Sequence, residues 1–126
     1  MRMVESKMKK VLVVEDNEKN MYFINFLLRK KNYEVIKASN GREGIKIALK
    51  EKPDLILMDI QLPDIDGLEA TGEIRKSEYG KKIPIIAVTS CAMSGDRERL
   101  LKGGCTGYIE KPINIEAFLS EIKKYL

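Results

Sequence analysis

The side chains available for chemistry in this 126-residue chain are carboxylates, hydroxyls, thiols and lysines, because the sequence contains no histidine. The lack of histidine excludes a histidine general base, a histidine-ligated zinc site and a Ser/His/Asp triad. The two cysteines, Cys91 and Cys105, are too few for a disulfide framework and lack CxxC spacing. We interpret them as reduced, partly buried side chains, which leaves carboxylates and lysines as the main candidates for a functional site.

Charged or hydroxyl side chains stand at the ends of several short apolar runs. They are Glu15 and Asp16 after the first run, Asp59 after the third, Thr89 after the fourth and Lys111 after the fifth. If the runs are parallel strands, their carboxyl ends meet at one edge of the sheet, where ligands bind in open α/β folds. We therefore expect three acids, one hydroxyl and one lysine to lie close together.

Such a group suits phosphoryl transfer. Three neighbouring acids repel one another and have raised pKa values unless a cation neutralises them, and magnesium prefers a few carboxylates with water and phosphate oxygens. Lys111 would place a second positive charge against an incoming phosphoryl group, and the Thr89 hydroxyl would donate to one of its oxygens. Asp59 is then the best-placed nucleophile, and its reaction would form an aspartyl phosphate.

The elements that position these residues follow from the hydrophobic pattern. Five apolar, β-branched runs predict strands at 11–14, 35–36, 55–58, 85–88 and 108–109. The runs do not alternate with polar residues, which is typical of parallel strands covered by helices on both faces. Helical periodicity separates them, and Asn17 and Asn40 stand where N-caps are expected. The strict alternation predicts a doubly wound α/β sandwich with right-handed crossovers.

The predicted helices present apolar stripes toward the sheet, and further helices are expected at 67–76 and 94–102. The stripes are Met21, Ile24, Leu27 and Leu28; Ile45, Ala48 and Leu49; and Ile115, Phe118, Leu119, Ile122 and Leu126.

Charge and hydropathy narrow the classes of partner. The net charge of +4 comes from 23 Lys/Arg and 19 Asp/Glu, and the basic residues are dispersed without interleaved aromatics. This pattern favours solvated faces over a nucleic-acid surface. No window has the uninterrupted apolar run of a membrane span, and the first ten residues lack the apolar region of a signal peptide. We expect a cytoplasmic protein that binds neither nucleic acid nor membrane.

Five sequence motifs resemble those of a known family. They are VLVVEDN at 11–17, PDLILMDIQLP at 53–63, DG at 66–67, PIIAVT at 84–89 and YIEKP at 108–112. In this order and spacing they resemble the receiver domain of two-component response regulators, the CheY-like family. We assign residues 8–126 to this domain and 1–7 to a disordered extension. The string at 58–63, the Gly103-Gly104-Cys105 turn and the lack of an output domain look most like single-domain receivers of the DivK type.

The resemblance implies a fold and a metal site. The fold is a five-stranded parallel sheet, order 2-1-3-4-5, in a flavodoxin-like or CheY-like three-layer sandwich. The cofactor is Mg²⁺, and its implied ligands are the carboxylates of Glu15, Asp16 and Asp59 with the backbone carbonyl of Gln61. Glu15 stands where many members have aspartate, so the arrangement of water around the metal is expected to differ.

The resemblance also assigns roles around the phosphoryl group. Asp59 is the implied phospho-acceptor, paired with Lys111, and Thr89 and Tyr108 match the two switch positions whose side chains rearrange on phosphorylation. The Lys111-Pro112 peptide bond is expected to be cis, which turns the lysine toward the acids. Two further residues, Ser90 and Cys91, replace alanines frequent after the switch threonine, and the replacement is expected to alter water access to the acceptor.

The implied function is a phosphorylation-controlled switch. A sensor histidine kinase or a histidine phosphotransfer protein would supply the phosphohistidine, and the chain itself would catalyse only its own phosphorylation and dephosphorylation. Output would pass to a protein target through the face formed by the fourth helix, fifth strand and fifth helix. A monomer is expected, with a dimer possible on activation.

Three other functions remain as alternatives. An EF-hand is suggested by Asp64, Asp66, Gly67 and Glu73, but its first ligand position would be Leu62, which has no oxygen in its side chain.

A phosphatase of the haloacid dehalogenase type also uses an aspartate nucleophile, yet it needs a second aspartate two residues later, where this chain has Gln61. A flavodoxin-like flavin site would share the fold, but it conflicts with acids where the flavin phosphate would bind. A colourless, flavin-free preparation would exclude it.

Overall fold

The computed structural model describes residues 8–90 and 96–126. Within them, strands and α-helices alternate, with one short 3-10 turn before the fourth strand. The elements are β1 Lys10–Val14, α1 Glu18–Lys30, β2 Glu34–Ala38, α2 Gly41–Glu51, β3 Leu55–Asp59, α3 Gly67–Arg75, the turn Tyr79–Lys81, β4 Ile85–Thr89, α4 Asp96–Lys102, β5 Gly107–Glu110 and α5 Ile115–Lys123. The extension predicted at 1–7 lies outside the described residues, as does Cys91.

The five strands form one parallel sheet in the order β2-β1-β3-β4-β5, which confirms the predicted fold. β1 lies between β2 and β3, so that Val14 stands opposite both Ala38 and Met58. All five carboxyl ends therefore point to the same edge. The strands run slightly beyond the predicted apolar runs because polar residues such as Lys10 and Glu34 also join the backbone ladder.

The core consists of two layers, one on each face of the sheet. Odd-numbered side chains of β1 and β3 pack with α1 and α5 around Ile24 and Phe118. Even-numbered side chains of the same strands pack with α2 and α3 around Ala48 and Ile74. Burial on both faces explains the uninterrupted hydrophobicity of these strands. Each fully buried Leu or Ile contributes about 1.5–3 kcal/mol relative to exposure.

A third, smaller cluster lies beneath α4. It consists of the buried residues Ile60, Ala87, Leu100 and Cys105, with Leu68 and Tyr108 packed against it. The buried, unpaired state of Cys105 agrees with its interpretation as a small core side chain.

Within the part of the chain that the structure describes, four helices begin with a side-chain cap. The Oδ1 atoms of Asn17, Asn40, Asp66 and Asn114 accept hydrogen bonds from first-turn N–H groups of α1, α2, α3 and α5, at 2.9, 2.8, 2.6 and 2.9 Å. The caps predicted at Asn17 and Asn40 are thereby confirmed. Each cap of this kind stabilises its helix by about 1 kcal/mol.

For two residues of the predicted apolar stripes, the expectation that they pack against the sheet was wrong. Leu49 is 39% exposed and Ile115 is 46% exposed. Ile115 is the first residue of α5, and Leu49 lies in the last turn of α2, where a helix end has fewer neighbours to cover it. The predicted helix at 67–76 ends one residue early, at Arg75. The predicted start at 94 of the fourth helix lies outside the described residues.

None of the helices in residues 8–90 and 96–126 has both the length and the hydropathy of a membrane-spanning segment.

Candidate functional site

The acids at the ends of β1 and β3 come together because these strands are neighbours. Val14 pairs with Met58, so the residues that follow, Glu15 and Asp59, lie side by side. Glu15, Asp16 and Asp59 each offer an oxygen, and these oxygens lie within 4.8 Å of one another. Glu15 and Asp59 are only 2% and 4% exposed, whereas Asp16 faces solvent. The structure thus brings together the three acids that the strand ends predicted.

Lys111, which directly follows β5, also contacts this acid cluster. Its Nζ lies 3.1 Å from Glu15 Oε1 and 3.3 Å from Asp59 Oδ2. The backbone supports this position, since the Lys111 N–H donates to the Thr89 carbonyl at 2.8 Å. The Lys111-Pro112 peptide bond is cis, as expected.

Glu15 uses its two oxygens differently. Oε2 accepts a hydrogen bond from the Asn17 backbone N–H at 3.1 Å. Oε1 is fully buried, accepts no hydrogen bond from the described residues and faces the ammonium group of Lys111. A buried oxygen left in this state is expected where a cation binds. Its position, with two further carboxylates nearby, therefore fits a metal ion.

The environment of Asp59 raises the pKa of its carboxyl group to about 6. Burial is the largest cause and the negative charge of Glu15 is the next, while Lys111 and the Gln61 N–H act in the opposite direction. Burial would by itself lower the pKa of Lys111, but its close contact with the Glu15 carboxylate and the charge of Asp59 outweigh that effect and raise the pKa. Lys111 therefore stays protonated at neutral pH.

The loop after β3 closes tightly over the base of the site. The Gln61 N–H donates to Asp59 Oδ1 at 3.1 Å, and the Gly67 N–H donates to the Ile60 carbonyl at 2.9 Å. A Cβ at residue 67 would overlap the Asp59 carbonyl oxygen, so only glycine permits this approach. The backbone of Gln61, predicted from the resemblance to provide a metal ligand, is thus held next to Asp59.

The two predicted switch residues lie on neighbouring strands. Thr89 ends β4, is 3% exposed and stands beside the strand that carries Asp59. Tyr108 is half-buried on β5, opposite Ala87, and packs against the cluster beneath α4. Thr89 and Arg99 line a cavity of about 340 Å³ together with the loop after β3. The site therefore continues toward α4.

Ser90, the other residue singled out after the switch threonine, is exposed beside this site. It lines a cavity of about 450 Å³ with Lys111 and Pro112.

The carboxylates of the EF-hand pattern make hydrogen bonds or ion pairs with other groups of the protein. Asp66 caps α3, and Glu73 Oε2 lies 3.0 Å from the Nζ of Lys76. Asp64 accepts hydrogen bonds from the backbone of α2. These contacts give each acid a structural role, and among the described residues the three acids do not form a group that could hold a metal ion.

The link from Asp64 to α2 was missed by the sequence reasoning. The sequence shows only an aspartate in a predicted turn, and this pattern does not indicate that its hydrogen-bond partner lies 23 residues away.

Residues 11–123 match the family described as the response regulator receiver domain. The chain belongs to this family. The receiver domain is 48% identical over 118 residues to a Brucella anthropi protein named polar-differentiation response regulator DivK, with 94% of this chain and 96% of the relative covered. The protein of the same name from Brucella ovis shows the same identity and coverage.

Solved structures agree with this assignment. The receiver domain of the sensor histidine kinase PA1611 from Pseudomonas aeruginosa, described with a magnesium ion coordinated in the active-site cleft, has a TM-score of 0.88 and 37% identity, covering 94% of this chain and 98% of that one. The chemotaxis response regulator CheY4 of Vibrio cholerae has a TM-score of 0.90 and 30% identity, covering 95% and 100%.

A chain in the co-crystal structure of the Saccharomyces cerevisiae phosphotransfer protein Ypd1 and the receiver domain of its downstream regulator Ssk1 has a TM-score of 0.86 and 33% identity, covering 94% of this chain and 88% of that one. The receiver fold of this chain thus resembles one solved with magnesium and one solved with a phosphotransfer partner.

Proposed function

We propose that this receiver domain accepts a phosphoryl group on Asp59 from a phosphohistidine of a histidine kinase or histidine phosphotransfer protein, with Mg²⁺ as cofactor. The observation that carries the proposal is the position of the Asp59 carboxylate, which is buried between two other acids and the ammonium of Lys111. A single reactive carboxylate flanked by an acid pair and a lysine is what phosphoryl transfer to aspartate requires, since positioning and charge neutralisation supply most of the catalysis.

The donor set fits magnesium. The carboxylates of Glu15, Asp16 and Asp59 would hold the ion, together with the backbone carbonyl of Gln61, and carboxylate and carbonyl oxygens are the ligands that a hard divalent ion prefers. When bound, magnesium supplies positive charge that neutralises the acids and the phosphoryl oxygens. The relation to a receiver described with magnesium in its cleft supports the choice of ion.

The residues of this chain would act in distinct ways during transfer. An Asp59 carboxylate oxygen attacks phosphorus, the new P–O bond forms as the P–N bond to the partner histidine breaks, and the imidazole keeps the electron pair. Lys111, 3.3 Å from Asp59 Oδ2, balances the charge of the transferred group. The Thr89 hydroxyl would donate to a phosphoryl oxygen. The partner must supply the histidine because this chain has none.

Turnover on other phosphate esters is not part of the proposal. The residue two positions after Asp59 is Gln61, whose amide cannot donate a proton to a leaving group. The only reactions assigned are phosphorylation of the chain itself and loss of that phosphoryl group.

The signal would leave through the face formed by α4, β5 and α5. Tyr108 connects this face to the site, because it packs against the cluster that includes Leu100 of α4. Leu101 and Ile115 are 42% and 46% exposed and offer apolar contacts for a protein target. We place this switch in the cytoplasm and expect it to be a monomer before phosphorylation.

A labelling experiment tests the proposed function. Purified protein is incubated with acetyl phosphate and MgCl₂, or with EDTA in place of magnesium, and the intact mass is measured. One added phosphoryl group is expected with magnesium and none with EDTA. Labelling that is equal in the two conditions would contradict the role of the metal, and no labelling in either would contradict the proposed function.

A further inference from the structure

Asp64 forms a bridge between the loop after β3 and the start of α2. Its Oδ1 accepts a hydrogen bond from the Gly41 N–H at 2.8 Å, and its Oδ2 accepts one from the Arg42 N–H at 2.9 Å. Both N–H groups belong to the first turn of α2, where the backbone has no partners within the helix. One exposed carboxylate therefore joins two elements that are 22 residues apart in sequence.

The helix has a second cap that comes from its own segment. Asn40 Oδ1 accepts from the Glu43 N–H at 2.8 Å, while the Glu43 carboxylate accepts from the Ser39 N–H at 2.7 Å. Asp64 and Asn40 thus satisfy different N–H groups of the same turn. Replacement of Asn40 therefore removes one cap of α2 without removing either hydrogen bond of Asp64.

Packing reinforces the bridge. A Cβ at Gly41 would lie 2.5 Å from Ile65 Cγ1, so the backbone of α2 and the residue after Asp64 are in close contact. Partial desolvation raises the pKa of Asp64, but hydrogen bonds from the Arg42 and Gly41 N–H groups outweigh it and lower the pKa to about 2. The carboxylate is therefore charged over the whole neutral range.

The same loop carries the backbone of Gln61 next to the acid cluster. It is held at its ends by the Gln61 N–H bond to Asp59 and by the close approach of Gly67 to Asp59. Between these points, Asp64 makes hydrogen bonds to α2, and the side chains of Leu62 and Ile65 pack against the core layer that contains α2. On the other side of the cluster, Ser39 and Glu43 border a cavity of about 510 Å³ with Glu15 and Asp16.

We propose that Asp64 is a positioning residue, which clamps the loop after β3 to α2 and so presets the Gln61 backbone for cation binding at the acid cluster. The inference rests on the proposed function, because it takes the acid cluster and the Gln61 carbonyl as the metal site. It adds a residue that touches neither metal nor phosphoryl group. Groups that orient metal ligands from outside the ligand set commonly change metal affinity when they are replaced.

The test compares Mg²⁺ affinity with helix stability. Titration calorimetry gives the Mg²⁺ dissociation constant, and thermal unfolding in EDTA gives stability, for wild type, Asp64→Ala and Asn40→Ala. Asp64→Ala is expected to weaken Mg²⁺ binding roughly tenfold, at the lower end of the usual range for such outer groups. Asn40→Ala, the matched control, is expected to lower the melting temperature at least as much and to leave the dissociation constant within about twofold.

Amide NMR spectra and a conservative variant complete the test. In Asp64→Ala without metal, the Gln61 amide signal is expected to shift, whereas in Asn40→Ala it stays in place. Asp64→Asn keeps one acceptor oxygen, and we expect its Mg²⁺ dissociation constant to lie between those of wild type and Asp64→Ala. If Asp64→Ala does not fold, the dissociation constant of Asp64→Asn tests the inference.

Three outcomes would overturn the inference. They are wild-type affinity in Asp64→Ala, wild-type affinity in Asp64→Asn where Asp64→Ala does not fold, and an equal loss of affinity in Asn40→Ala. A wild-type protein that binds no Mg²⁺ would overturn the proposed function together with the inference. Normal wild-type binding with any of the three outcomes overturns the role of Asp64 alone.

Discussion

The Nζ of Lys111 lies 3.3 Å from Asp59 Oδ2, although the two residues are 52 positions apart in the sequence. The same ammonium group also faces the buried Oε1 of Glu15 at 3.1 Å. One cation is therefore shared between two buried carboxylates, and the site carries an excess of negative charge. Burial is the larger cause of the raised pKa of Asp59, and this excess of negative charge adds to it. The same excess suits the site to a divalent cation.

Removal of Lys111 should destabilise the protein in the absence of metal. Lys111→Met leaves Glu15 and Asp59 buried without a counter-ion, and we expect a loss of about 2 kcal/mol, less than for a fully buried pair because the lysine side chain is 19% exposed. Urea unfolding at pH 7 in EDTA measures the loss.

Lys124→Met is the control for this prediction, since the Nζ of Lys124 lies 3.0 Å from Glu121 Oε1 on the exposed surface and this pair should contribute little to stability. Equal stability of wild type and Lys111→Met would show that Lys111 does not offset the charge of the buried acids.

Stability should fall as pH rises through the titration range of Asp59. Its pKa is about 6 in the folded protein, against an ordinary value of 3.8, so the folded state binds the proton more tightly between these values. Wild type therefore loses stability relative to Asp59→Asn from about pH 4 to about pH 6, and the deficit is full above that range.

The comparison is made by urea unfolding of both proteins in EDTA at pH 4 and pH 7. At pH 7 we expect Asp59→Asn to be more stable by roughly 3 kcal/mol, since the pKa rises from 3.8 to about 6 and one pKa unit corresponds to about 1.4 kcal/mol. At pH 4 the advantage should be small. An advantage that is the same at both pH values, or larger at pH 4, would show that burial of the Asp59 charge is not the cause.

Loss of the Thr89 hydroxyl should separate phosphorylation from its structural response. Thr89→Ala keeps the three acids and Lys111, so it should still be labelled by acetyl phosphate. Without the hydroxyl that draws Thr89 toward the phosphoryl group, amide shifts of Tyr108 and α4 on addition of beryllofluoride should be much smaller than in wild type. Thr89→Ser retains the hydroxyl and should behave like wild type. Full shifts at Tyr108 and α4 in Thr89→Ala would refute this route.

The fold and the acid cluster could be predicted because both depend on repeating, local patterns. Continuous apolar runs such as 11–14 and 55–58 belong to strands covered on both faces, and parallel strands bring their carboxyl ends to one edge. Once the strand order was set, Glu15 and Asp59 had to be neighbours. Periodicity alone does not indicate the roles of these residues. Those roles were predicted from the resemblance to receiver domains.

Other features depend on contacts that local patterns do not encode. The bridge from Asp64 to Gly41 requires the path of a loop relative to a helix that is distant in sequence. The exposure of Leu49 and Ile115 depends on how far the neighbouring elements extend past the helix ends, whereas periodicity indicates only the side of the helix on which a residue lies.

Direct identification of the phosphorylated residue tests the central claim. Protein labelled by acetyl phosphate in MgCl₂ is reduced with borohydride, which converts an aspartyl phosphate to homoserine, and the peptides are sequenced by tandem mass spectrometry. We predict homoserine at position 59 in wild type, and neither label nor homoserine in Asp59→Asn. Homoserine at Asp16, or labelling of Asp59→Asn equal to wild type, would contradict the assignment of Asp59 as the phosphoryl acceptor.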